Sequence, residues 1–317
     1  MHVSLFCKPL CFVRRAVIVV SAALPCCPAL AQHKPYEPLA VTYDMSAQSD
    51  TDLHALIETL RAAVAQKNLA ALDAALAPTL MVYECDADPV KPCPDLPLAA
   101  AATPGTLAPG LPAPSATASV KVTGLAKPVR ASKAAALQTR ARLAAMLKLP
   151  PAQRLRAGLC CRDVPAQHIT KAMREEAVLG FVGATLEDET LGAHPDLPGA
   201  VCMPAWPAFD RAKAAQIAAN ADIENANLRA ATAELVLRDK PEKDAAEVAR
   251  IGKGAAVAFV TDAAAALPDG WSAVALAAGG LGYTDQGGLA DLTPAGLCFA
   301  KDGAGVWKIS AAVQRHS

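Results

Sequence analysis

The chain has 317 residues with 30 basic and 30 acidic side chains, and 53% of it is apolar while only 4% is aromatic. A balanced charge argues against nucleic acid or an anionic membrane surface as the main partner, since both reward a basic patch. Alanine supplies much of the apolar count and buries little surface per residue, so the core is poorer than the percentage suggests.

The first segment carries Lys8, Arg14 and Arg15, then the apolar run from Ala16 to Leu24, then Ala29-Leu30-Ala31 before Gln32. A basic region, an apolar core and a small-x-small site in that order predict a secretory signal over residues 1–31, cleaved after Ala31. The apolar core is shorter than the roughly 20 residues that cross a bilayer, which argues against a membrane anchor. Pro25 directly before Cys26 argues against lipoprotein processing. Cleavage removes three basic residues and no acidic ones, leaving 27 against 30 and no transmembrane segment. The expected address is periplasmic or secreted. Of the ten cysteines, Cys85, Cys93, Cys160, Cys161, Cys202 and Cys298 remain. In an oxidising compartment an even number of them reads first as disulfides.

Beyond a Pro-containing lead-in, Ser49-Asp50-Thr51-Asp52 supplies helix caps, and Leu53, Leu56, Ile57, Leu60 and Val64 follow at helical spacing. A turn at Lys67-Asn68 leads to a second helix with Leu69, Leu72 and Leu76, stopped by Pro78. Thr79 to Tyr83 then reads as a strand running to Cys85. From Pro94 to about Lys133, Pro, Ala, Thr, Gly and Ser dominate without a hydrophobic period, as in a linker. Helices are expected from Ala134 to Leu147, ended by Pro150-Pro151, from Ile169 to Leu186, and from Ala208 to Asn220. Short β-type runs follow at 233–238, 255–260, 271–276, 296–299 and 306–309, separated by Gly and Asp-Gly. Their spacing predicts a small antiparallel barrel.

Four elements of that last segment form an ordered set. Val236-Leu237-Arg238-Asp239-Lys240-Pro241 is followed by Val248-Ala249-Arg250-Ile251-Gly252-Lys253-Gly254, then by Gly270-Trp271-Ser272-Ala273-Val274, then by Gly282-Tyr283-Thr284. They resemble the Asn-Val-Arg-x-Gly-Pro, Val-x-x-Leu-x-x-Gly, Gly-Trp-x-x-Val and Gly-Trp/Tyr-Val elements of the bacterial SH3-like (SH3b) domains. The resemblance spans about residues 230–292. Val236 stands for the family's Asn, Lys240 for its Gly and Thr284 for its Val, and residues 263–268 lengthen one loop. The resemblance implies a barrel whose Trp271 and Tyr283 contact a peptide or peptidoglycan ligand. The expected fold is therefore α+β: a helix-rich N-terminal region over 32–205, then an SH3-like β-barrel over 206–317 with a leading helix and a C-terminal hairpin.

Six cysteines allow 15 connectivities, and the order of residues does not choose among them; the leading expectation is Cys202 with Cys298, which would tie the segment before the barrel to the hairpin after it. A bridge from Cys85 to Cys93, across a loop holding two prolines, is the second expectation on the same compartment argument. Cys160 and Cys161 are left either bonded to each other, as a thiol–disulfide sensor would require, or engaged in an ordinary structural bridge elsewhere. Cys160, Cys161, His168 and His194 do not form a zinc or copper spacing, so no metal or cofactor is expected. Gly252-Lys253-Gly254 is a turn rather than a phosphate loop. Glu187-Asp188-Glu189 is a charged helix end. No Gly-x-Ser-x-Gly element is present, and no nucleophile can be set beside a base from the order of residues. The implied function is a non-catalytic envelope protein, with a cell-wall-acting enzyme or accessory targeted by the SH3b-like segment as the alternative.

Overall fold

The computed structural model describes residues 34–91, 93, 147–161, 164–261, 267–285 and 287–316. The expected signal (1–31), the linker (94–133) and all but the last residue of the helix expected at 134–147 lie outside these described residues.

Strands β1 (Leu39–Ala40) and β2 (Thr42–Tyr43) lead to helix α1 (Thr51–Ala65). Asp50 caps α1 by accepting from the amides of Asp52 and Leu53, which the first turn leaves without carbonyl partners. Asn68 caps α2 (Leu69–Ala74) through the Ala71 amide. Leu76 and Pro78 then belong to strand β3 (Leu76–Asp86), where they had been expected at the end of that helix. Pro78 is accommodated because β3 is irregular there: its register against the last strand shifts between Leu76 and Met81. The carbonyls so released do not go unpaired. The buried guanidinium of Arg154 donates to Leu80 O at 2.5 Å and to Pro78 O at 2.7 Å, as buried backbone acceptors require.

Arg154 lies on α3 (Pro151–Leu159), which begins at the proline pair expected to end a helix. The second proline sits at the first helical position, where its missing N–H costs nothing and its fixed φ suits the helix. Helix α4 (Lys171–Leu186) is followed by β4 (Gly192–Ala193), β5 (Val201–Met203), β6 (Pro207–Ala208) and α5 (Arg211–Ala221). The remaining elements are all strands: β7 (Leu228–Ala231), β8 (Leu235–Arg238), β9 (Glu247–Ile251), β10 (Ala255–Phe259), β11 (Ser272–Ala275), β12 (Leu281–Thr284), β13 (Leu289–Asp291), β14 (Gly296–Lys301) and β15 (Trp307–His316).

These elements correct the expected α+β class. Among the described residues fifteen strands form three sheets and run along the whole chain, with helices as the minor component. The expected SH3-like barrel is not closed. Its strands belong to an open sheet ordered β13-β7-β10-β11-β12-β8-β9, with β1 added on β10. The reason is lateral extension. β7 and β13 continue the sheet beyond one edge of β10, and β1 and β11 share its other edge, so β10 is an interior strand and does not turn back to meet β9. The C-terminal hairpin is likewise central and not appended. β15 and β14 are the second and third strands of the order β3-β15-β14-β5-β4, and β15 runs parallel to β3. Chain segments on either side of residue 206 thus share sheets.

Two cores result. On the five-stranded sheet, α1 and α4 bury Leu53, Ile57, Leu60, Val178 and Val182 against Leu297, Phe299 and Ile309. On the larger sheet, α5 lays Ala214, Ala218 and Ala221 over Ala230, Ala256, Ala258 and Ala275. Alanine on both surfaces lets helix and sheet approach closely, so small side chains still fill the space between them at native density. β14 shows the same closeness. A Cβ at Gly296 would lie 2.3 Å from the Met203 carbonyl oxygen and 2.9 Å from Pro204 Cδ. Gly296→Ala is expected to cost about 1–3 kcal/mol, because backbone and not a flexible side chain must give way. A urea midpoint unchanged by the substitution would refute this contact.

Candidate functional site

A groove of about 880 Å³ opens where the two larger sheets meet. Tyr43, Met45, Pro204, Leu289 and Pro294 give it apolar walls, while Asp188, Thr190, Thr232, Lys253 and Asp291 are its polar groups. All three consecutive residues of β13 line it. Successive side chains of a strand point to opposite faces, so a strand that contributes every residue presents its edge. Among the described residues β13 is the end strand of its sheet, paired only with β7.

The polar groups of the groove differ in what they have left to offer. Asp188 accepts from the Thr190 amide at 2.7 Å and from its hydroxyl at 2.5 Å. Asp291 is held by Arg229 at 3.0 Å and by Arg315. Both carboxylates are therefore already engaged by donors from the protein. Lys253 is exposed in the turn between β9 and β10 and has no ion-pair partner among the described residues. Burial pushes the Tyr43 hydroxyl above its ordinary range, so it remains a protonated donor at neutral pH. The arrangement suits an extended, partly apolar ligand bearing a carboxylate.

A second, smaller cleft of about 580 Å³ is lined by Cys160, Cys161, Phe181, Glu84, Gln314 and Arg315. Cys160 ends α3 and is joined to Cys161 by a disulfide. Cys161 has φ of 66°, in the left-handed region, which costs a residue with a Cβ about 1–2 kcal/mol. The other two bridges join Cys85 to Cys93 and Cys202 to Cys298. The groove and the cleft share the wall formed by Ala295, and the Asp291–Arg315 ion pair links one to the other.

The expected ligand contacts lie elsewhere. Tyr283 pairs with Ala273 on β11 and with Arg238 on β8, and Trp271 directly precedes β11. Both are half-buried, and neither lines the groove or the cleft. Tyr43, Met45, Leu289 and Asp291 carried no motif that could have singled them out. Lys253 was visible only as part of the Gly-Lys-Gly turn, which it is. Of the residues weighed as metal ligands, His194 is buried against Trp206 with ring centroids 4.2 Å apart. Among the described residues no three Cys, His, Asp or Glu side chains cluster as a metal site. No helix among them is long and apolar enough to cross a membrane. No family model, no curated protein and no solved structure matches the chain.

Proposed function

We propose that this is an exported, non-catalytic cell-envelope protein that binds an extended peptide, of the kind found in the cell wall, along the edge of β13. The carrying observation is that edge, open to an apolar-walled groove and flanked by the ammonium of Lys253, which has no ion-pair partner among the described residues. Main-chain hydrogen bonds to an end strand supply affinity for any extended peptide, while pockets beside the strand select its side chains. Lys253 would pair with a ligand carboxylate. Two features favour binding over acid/base chemistry: both groove carboxylates already accept from Thr190 or from arginines, and the walls are mostly apolar. The SH3b resemblance points to the same ligand class, although the surface used would be the groove. Three disulfides support an oxidising, non-cytoplasmic address.

The test is equilibrium binding of purified protein to soluble cell-wall peptides with free and amidated C-termini. Binding of the free acid is expected, and Lys253→Glu should weaken it about tenfold, which corresponds to 1.4 kcal/mol. Equal binding of acid and amide, or no retention of any cell-wall peptide, would remove the reading.

A further inference from the structure

We infer that the Cys160–Cys161 disulfide is a thiol-exchange site, reduced in the folded protein by a dithiol that enters the cleft, while the other two bridges are structural.

The first reason is what this bridge fails to do. A disulfide stabilises mainly by closing a loop in the unfolded chain, and the benefit grows with the residues enclosed. Cys202–Cys298 spans 96 positions and Cys85–Cys93 spans 8, but Cys160 and Cys161 are neighbours. Their bond encloses no loop and constrains almost none of the unfolded ensemble. The second reason is access. Cys202 and Cys298 are 0% exposed, and Cys85 and Cys93 are 3% and 4% exposed. Cys160 and Cys161 are both partly exposed and form part of a cleft wall. Thiol–disulfide exchange needs a thiolate to reach a sulfur, so access separates the three bridges. The third reason lies in the local backbone. The bridged Cys161 sits at positive φ, at a turn closed by the Val164 amide on the Cys161 carbonyl. Opening the ring frees that residue to return to an ordinary conformation.

The exchange balances as follows. A thiolate of the incoming dithiol attacks one of the two sulfurs, forming a mixed disulfide as the Cys160–Cys161 bond breaks. The displaced sulfur leaves as a thiolate and takes a proton from water. The second thiol of the reductant, as its thiolate, then attacks the mixed disulfide and releases the other cysteine. Two electrons have passed to the protein, and the reductant is left as a disulfide. Arg315 and Glu84 line the same cleft as the two cysteines. A guanidinium favours the leaving thiolate.

The experiment treats the full chain with graded dithiothreitol under native conditions, alkylates free thiols and maps the peptides. Cys160 and Cys161 should be alkylated together at reductant concentrations at least tenfold below those that open Cys85–Cys93 or Cys202–Cys298. Loss of all three bridges together would overturn the inference, and so would finding Cys160 and Cys161 as free thiols or bonded to other cysteines before reduction. A second variant separates exchange from a structural role. Cys160→Ser/Cys161→Ser should leave the urea midpoint within error of the parent protein. A loss of stability as large as that from removing Cys202–Cys298 would make the bridge structural.

Discussion

Removing the Cys202–Cys298 bridge through the double substitution Cys202→Ala/Cys298→Ala is expected to lower the unfolding free energy by about 4–5 kcal/mol. The two residues face each other directly in register on β5 and β14 and enclose a separation of 96 positions. In the chain-entropy model a loop of that size loses several kcal/mol of closure freedom when bonded. The bridge also sits in a buried cluster with Trp206, Ala311 and Val313, so the lost sulfurs leave space that neighbours must fill. The Cys85–Cys93 bridge, with a separation of 8, is expected to contribute about 2–3 kcal/mol by the same model. Urea unfolding of the two double variants, with m-values compared, measures both effects. Equal losses would contradict loop length as the cause, and a loss under about 1 kcal/mol for Cys202–Cys298 would contradict the bridge's role altogether. Domains are stable by only about 5–15 kcal/mol, so the larger loss would leave the fold marginal.

Stability is also expected to fall as pH drops from 6.5 towards about 4, because of His194. Burial holds its imidazole down to about 4. The charge of Asp196 opposes this, and that of Arg211 adds to it. Nδ1 accepts the Asp196 amide at 3.0 Å, which places the neutral ring's proton on Nε2. Protonating Nδ1 would set a donor against a donor. The unfolded chain therefore takes up a proton near pH 6.5, and the folded chain refuses it until about 4. More protons bound in the unfolded state means that stability rises with pH across that window, is fully present above 6.5 and is lost on acidification. The contribution is about 3 kcal/mol, from 1.36 kcal/mol per pKa unit. Urea midpoints taken across the window should show a slope that His194→Asn flattens, since asparagine keeps an acceptor near Nδ1 but does not titrate. An unchanged slope in that variant would assign the acid sensitivity elsewhere.

Local signals carry through to the structure where they act between neighbours in the chain. Asp50 caps α1 because its carboxylate reaches amides two and three residues ahead, a contact fixed by local geometry. The helix expected from Ile169 begins at Lys171 and ends at Leu186 as anticipated, since its apolar period is its own. Expectation and structure part where a distant partner decides the outcome. Pro78 is a helix stop by its local signal, but Arg154 satisfies the irregular strand around it. β7, with Leu228-Arg229-Ala230-Ala231, has no β-branched residue to announce it and exists because β10 and β13 bond to its two edges. The barrel expected from the strand spacing is open because β7 and β13 occupy the edge of β10 that closure would have needed.

The groove was hidden for the same reason. Tyr43, Thr190, Lys253 and Leu289 come from four separate stretches and share no spacing rule. By itself the sequence determined the caps, the apolar periods and the pool of cysteines, because each depends on residue type and short-range order. Only the tertiary structure decided which edges remained free, which carboxylates were already paired and which of the disulfides could be reached from solvent. Those are relations between surfaces, set when the sheets pack, and no local pattern encodes them.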